Sequence, residues 1–238
     1  MPSRTGAKRV KHMGESMRVH PWPQNAADAL LALESDAACV VISVATLRNE
    51  NRTLARQSIR EALQELLAAY WQHPVKSIQF SSRIGEAVAL LSPASTVGLS
   101  ISHAPGCSLA AVHLHCTVGV DVVRIDTDRV GGDDALPDWD QLAQDYLGPV
   151  AHQQLVHTAP GVRAAAFARA WSQLEAGLKC QGQGLTEWTP ALGQALASCT
   201  TTILDLPDTL RGTLAVGPPR HGPASTKQAY KPSINFRF

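Results

Sequence analysis

The chain has 238 residues, 45% of them hydrophobic, enough for one substantial core or two smaller ones. The formal charge is +1, so no global field recruits nucleic acid or a membrane surface. The five cysteines, Cys39, Cys107, Cys116, Cys180 and Cys199, include no CxxC pair, which points to reduced thiols and a cytoplasmic setting rather than a disulfide framework.

In chain order, residues 1–18 are polar and basic, with Arg4, Lys8, Arg9, Lys11 and Arg18 against Glu15. No apolar run follows them, so a disordered tail rather than a signal peptide is expected. Ala26–Leu33 reads as a short helix, and Cys39-Val-Val-Ile-Ser-Val44 as a buried strand. Asn51 to Tyr70 reads as a long helix with Leu54, Ile59, Leu63, Leu66 and Leu67 on its buried side, ended by His73-Pro74. Arg52, Arg56 and Arg60 share a face of that helix, and Glu61 and Glu65 make a solvated surface the ordinary reading of such a stripe.

Ser77–Phe80 and Glu86–Leu91 are expected to pair across Arg83-Ile84-Gly85. Val97–Ile101 and Ser108–His115 are strand-like, which puts Ser102 and His103 at a strand end where a loop presents side chains to a ligand. His113 and His115 alternate on one strand face. Together with His103, Cys107 and Cys116 they lack the CxxC or HxxxH spacing of a zinc site, and a half-exposed strand face is the better reading. Val118–Val123 has a buried-strand pattern interrupted by Asp121. A carboxylate there is costly to bury unpaired, a cost that strand-end exposure or a bound cation would remove; a loop-edge aspartate is the plain alternative.

The stretch from Asp126 to Asp145 is acidic and broken by glycines and Pro137, the composition of a solvated loop. Gln141–His157 is helical with a break near Gly148-Pro149, and Val162–Cys180 is a helix with Phe167, Ala170, Trp171, Leu174 and Leu178 as its stripe. Gly182 suits its C-terminus. Glu175 and Lys179 stand four apart on it, either an active-site edge or an exposed ion pair worth about 0.2–0.5 kcal/mol. Ile203–Leu206 and Leu210–Val216 read as a closing strand pair, and residues 218–238 as a flexible tail. Strand, helix and paired strands thus occur twice.

Taken in order, Ser102-His103-Ala104, then Gly119-Val-Asp121-Val, then Trp171-Ser-Gln-Leu-Glu175-Ala-Gly-Leu-Lys179 followed by Gly182-Gln-Gly184-Leu185 resemble the 4'-phosphopantetheinyl transferases of the surfactin-synthetase-activating type. The resemblance covers about residues 20 to 215. It implies an α+β fold of two pseudo-symmetric halves, each a small antiparallel sheet packed on helices. These halves would span residues 19–116 and 117–217, with coenzyme A and magnesium in the cleft between them.

It also implies transfer of the 4'-phosphopantetheine arm of coenzyme A to a serine of an acyl or peptidyl carrier protein, for secondary-metabolite or fatty-acid synthesis, by a monomer. Asp121 and Glu175 are the implied metal ligands, Glu175 and Lys179 the catalytic pair, and Arg52, Ser102, His103 and Lys179 the coenzyme contacts. Arg56 and Arg60 receive no role. Against the family pattern, Glu86 stands where a lysine is common, Val123 where many relatives have a second acid, and Leu174 where lysine is common. His152 is at best a substitute for a glutamate. These departures motivate the alternative of a coenzyme- or carrier-binding protein of the same fold with weak or lost catalysis.

Overall fold

The computed structural model describes residues 16–48, 51–81, 87–93, 95–125 and 139–220. Strands β1 (Met17–Arg18) and β2 (His20–Pro21) lead into helix α1 (Ala26–Glu34), strand β3 (Cys39–Ala45) and helix α2 (Arg52–Trp71). The short strands β4 (Gln79–Phe80) and β5 (Leu90–Ser92) pair with each other. Then come β6 (Gly98–Ala104), β7 (Cys107–His113) and β8 (Cys116–Arg124). Helix α3 (Trp139–Leu142), a π-helical turn over Ala143–Leu147, α4 (Gly148–Val156), α5 (Pro160–Gln181) and α6 (Pro190–Ala197) precede β9 (Thr200–Asp205) and β10 (Leu210–Pro219). The fold is mixed α+β, small sheets packed on helices.

The two larger sheets repeat one plan. In the first, a strand (β3) is followed by a long helix (α2) and a hairpin (β6–β7) whose second strand returns antiparallel to β3. In the second, β8 is followed by α5 and the β9–β10 hairpin, whose second strand returns antiparallel to β8. Sheet orders are β2-β3-β7-β6 and β1-β9-β10-β8. The expected antiparallel sheets each gain one parallel edge, β2 on β3 and β1 on β9. Met17 and Arg18, expected in the tail, thus belong to the second sheet, and Arg18 also pairs with Asp28 at 2.9 Å. Two-residue strands carry no periodicity from which they could be read.

Each half has its own core, and a third joins them. Val40, Ile42, Ala110 and Val112 of the first sheet pack on Ile59, Leu63, Leu66 and Leu67 of α2. The opposite face, with Val41, Leu109 and Ala111, packs on Val118, Val120, Val122 and Leu214 of the second sheet. Leu54 lies 52% exposed rather than buried, because the stripe of α2 runs through Ala55, Ile59 and Ala62 instead. Asn51 caps α2 by accepting from the Thr53 N–H, and Gln72, at φ +55°, closes it one residue before His73-Pro74. Arg83–Glu86 and Asp126–Asp138 lie outside the described residues. Among the described residues no helix is long and apolar enough to cross a membrane.

Edge strands β6 and β8 meet at the seam between the halves. Their closure does not use a backbone ladder. Ser100 Oγ accepts from the Val120 N–H at 3.0 Å, and Ser102 Oγ accepts from the Val122 N–H at 3.3 Å. The two-residue period of each strand aligns both pairs, so hydroxyls satisfy edge amides that would otherwise be left unbonded in a buried setting.

Helix α5 lies directly on β8 because the contact residues are small. A Cβ at Gly119 would stand 1.9 Å from the Ala176 carbonyl oxygen and 2.5 Å from the Cys180 nitrogen. Backbone cannot yield as a side chain can, so Gly119→Ala is expected to push helix and strand apart. The expected loss is about 1–3 kcal/mol or more, read as a lowered urea midpoint at unchanged m-value.

Candidate active site

Alternation along β8 sends Val118, Val120 and Val122 into the core between the sheets and turns Gly119 and Asp121 toward α5. Asp121 is 5% exposed. On α5, the run from Leu174 to Leu178 is buried on every side, since Ala176 meets β8 while Leu174 and Leu178 pack on Leu192 of α6. That removes the exposed ion-pair reading of Glu175 and Lys179: Glu175 is 2% exposed. Gly182, at φ +67°, ends the helix as expected and its N–H bonds the Lys179 carbonyl.

Lys179 Nζ stands between the two acids. It donates to Asp121 Oδ1 at 2.7 Å, to Ser102 Oγ at 3.2 Å and to the Val120 carbonyl at 3.2 Å. Glu175 Oε2 lies 4.0 Å from the same nitrogen. Ser102 Oγ in turn donates to Asp121 Oδ1 at 2.7 Å. So Ser102, Asp121, Glu175 and Lys179, drawn from three elements and both halves, form one cluster. Burial pushes the Asp121 carboxyl up to about 6 against the pull of the Lys179 charge, with Glu175 adding to the rise and hydrogen bonds from Lys179 and Ser102 opposing it.

His103, next to this cluster on β6, shares a hydrogen bond between its Nδ1 and Ser108 Oγ at 2.8 Å. Burial and the positive charges of Arg56, Lys179, Arg52 and Arg60 hold its pKa down at about 3, so the ring is neutral. The arginines of α2 are thus near enough to His103 for their charges to act on it. Arg52 is among these cations, but Arg56, to which the sequence reading assigns no role, acts on His103 more strongly. The four-residue spacing that makes the stripe visible carries the signal; what it lacks is which way α2 faces. Arg60 is partly committed elsewhere, donating to the Ser81 carbonyl at 2.8 Å.

Leu174 and Val123 have packing roles, and His152 has a polar partner. Leu174 is buried with Leu178 and Leu192, and Val123 packs on the Phe167–Trp171 cluster, so both serve the packing of α5. His152 bonds Asp140 at 2.8 Å, away from the cluster just described. His113 accepts through Nδ1 from the His115 and Cys116 N–H groups, which ties it to the β7–β8 turn. Among the described residues no group of three His, Cys, Asp or Glu side chains is placed to hold a metal. Glu86 lies outside the described residues.

The neutral state of His103 has a consequence for stability. Its folded pKa, about 3, lies below the ordinary histidine value of 6.5, so the unfolded chain binds the extra proton. Stability is full above pH 6.5 and is lost as pH falls from there toward 3, at up to about 1.4 kcal/mol per pH unit from this group. His103→Gln is expected to flatten that acid limb in urea titrations at stepped pH.

The whole chain finds no match among curated proteins. Its residues 117–202, the stretch that carries Asp121 on β8 and Glu175 and Lys179 on α5, match the family model of the 4'-phosphopantetheinyl transferase superfamily.

Proposed function

We propose that the protein transfers the 4'-phosphopantetheine arm of coenzyme A to a serine of an acyl or peptidyl carrier protein, as a transferase of the surfactin-synthetase-activating type. The observation that carries this reading is the convergence of Asp121 and Glu175 on Lys179 Nζ, at 2.7 and 4.0 Å. In the reaction the carrier serine Oγ forms a bond to the phosphorus that bears the pantetheine arm. The bond from that phosphorus to the bridging oxygen breaks, and adenosine 3',5'-bisphosphate leaves.

The difficulty is electrostatic, since a nucleophile approaches a pyrophosphate that is already anionic. Lys179 offsets the charge that gathers on the departing phosphate. Glu175, directly or through a water, takes the proton released by the serine hydroxyl. Arg52 and Arg56, whose charges act on His103, would offer forked donors to phosphate, with the neutral His103 ring as a further donor. Two carboxylates in one cluster are the hard oxygen donors that magnesium prefers, so Asp121 and Glu175 would hold it, and it would supply neutralisation of the pyrophosphate charge. Soluble action as a cytoplasmic monomer on a secondary-metabolite or fatty-acid carrier completes the reading.

A second reading, a coenzyme- or carrier-binding protein with lost catalysis, is favoured by one observation. Asp121 and Glu175 are 5% and 2% exposed, and Leu174 and Val123 are given over to packing.

Incubation with coenzyme A, magnesium and an apo carrier separates the two. A transferase gives a mass gain of one phosphopantetheine arm. Asp121→Asn and Glu175→Gln each lower that rate by about 10²–10⁴-fold with the circular dichroism spectrum unchanged. A folded protein that binds coenzyme A tightly, yet modifies none of several carriers, is the binding protein instead. Arg52→Ala is expected to raise the KM for coenzyme A at unchanged kcat, because phosphate grip is uniform binding; an unchanged KM removes Arg52 from the site.

A further inference from the structure

The surroundings of Lys179 Nζ are those of a bound cation. Asp121 Oδ1 at 2.7 Å, Ser102 Oγ at 3.2 Å and the Val120 carbonyl at 3.2 Å engage it, with Glu175 Oε2 at 4.0 Å. An ammonium has three N–H bonds to donate, and these contacts engage it from three groups. The oxygen bonded most closely, Asp121 Oδ1, belongs to one of the two carboxylates assigned above to magnesium. Like charges cannot share one carboxylate oxygen at contact distance without strong repulsion in so buried a setting.

We propose that Lys179 is a tethered occupant of the metal position: it competes with a divalent cation for Asp121, and coenzyme phosphate opens the position by drawing the ammonium away. The inference rests on the transferase reading for the identity of the coenzyme, while the competition itself rests on the cluster alone. Three features make the exchange physical. Lys179 lies in the last turn of α5, and its flexible four-carbon stem can re-aim the charge without moving the helix. Its charge acts on His103 together with those of Arg56, Arg52 and Arg60, so the ammonium has electropositive neighbours as well as the two acids. Its side chain is 12% exposed against 8% for Asp121 and 3% for Glu175, so it is the most accessible member of the trio.

Metal loading is then ordered. Without coenzyme Asp121 is already paired from within, and a divalent ion reaches its Oδ1 only by displacing a hydrogen-bonded ammonium. With coenzyme bound, Lys179 has a phosphate to pair with and Asp121 is left for the metal. Coenzyme binding and metal binding become coupled through one side chain, and the coupling is reciprocal.

The test uses the full chain and Mn²⁺ as the probe, with free Mn²⁺ followed by electron paramagnetic resonance and no coenzyme present. Lys179→Met and Lys179→Gln are expected to bind Mn²⁺ at least about tenfold tighter than the wild type, the step that loss of one buried competing charge supplies. Mn²⁺ is also expected to raise the melting temperature of both variants and to leave that of the wild type nearly unchanged. Adding Asp121→Asn to either variant should abolish the gain. Wild-type binding as tight as that of the variants overturns the proposal, as does failure of both variants to bind or be stabilised by Mn²⁺. The carrier assay fails independently: variants that gain Mn²⁺ while the wild type modifies no carrier leave the competition standing and remove the transferase. Carrier modification with no gain in Mn²⁺ affinity does the reverse.

Discussion

The Lys179–Asp121 contact is the interaction on which the arrangement depends. A carboxylate in the middle of an apolar strand, facing a helix, would be prohibitive without a partner, because the interior does not solvate a charge. Lys179 supplies that partner from the helix that covers the strand. The pair also has a position requirement: the ammonium reaches Oδ1 only if α5 lies hard against β8, and the missing side chain of Gly119 permits that approach. A steric detail on one residue therefore sets an electrostatic distance two residues further along the strand.

The same closeness explains why Glu175 is buried without being stranded in a purely apolar core. Its carboxylate lies one helical turn before Lys179, on the side that meets the strand. The residues flanking it, Leu174 and Leu178, turn the other way into α6. Helix α5 thus packs apolar side chains toward α4 and α6, while its face toward β8 sets Glu175 and Lys179 among small residues such as Ala176. The aromatic stack of Phe167 on Trp171, with Tyr146 edge-on, fixes the N-terminal part of the helix and so its rotation about its own axis.

Much of this could be read from the chain. The long apolar strands and both long helices follow from residue periods of two and of three to four, and Asp121 stands out as a charge in an apolar run. Gly182 marks a helix end by its backbone freedom alone. What the sequence lacks is mutual orientation. Glu175 and Lys179 at a four-residue spacing fit a solvated ion pair equally well until α6 and β8 are known to cover both sides of α5. Arg56 fits a surface stripe until its charge is seen to act on the buried His103 ring. Leu54 fails for a related reason, because a single leucine in a first turn does not reveal that smaller Ala55 holds the buried position. In each case the deciding contact joins residues far apart in sequence.

The seam between β6 and β8 has a consequence of its own. Each sheet has its own strand pairing, and Ser100 and Ser102 bind the other half's amides through side chains alone. Along this line the halves are fastened by hydroxyls rather than by a strand ladder, while β1 and the apolar core between the sheets join them elsewhere. Ser102 is at once a fastener and a neighbour of Asp121, so any rearrangement of the charge cluster is felt as a change in how tightly the two halves are held.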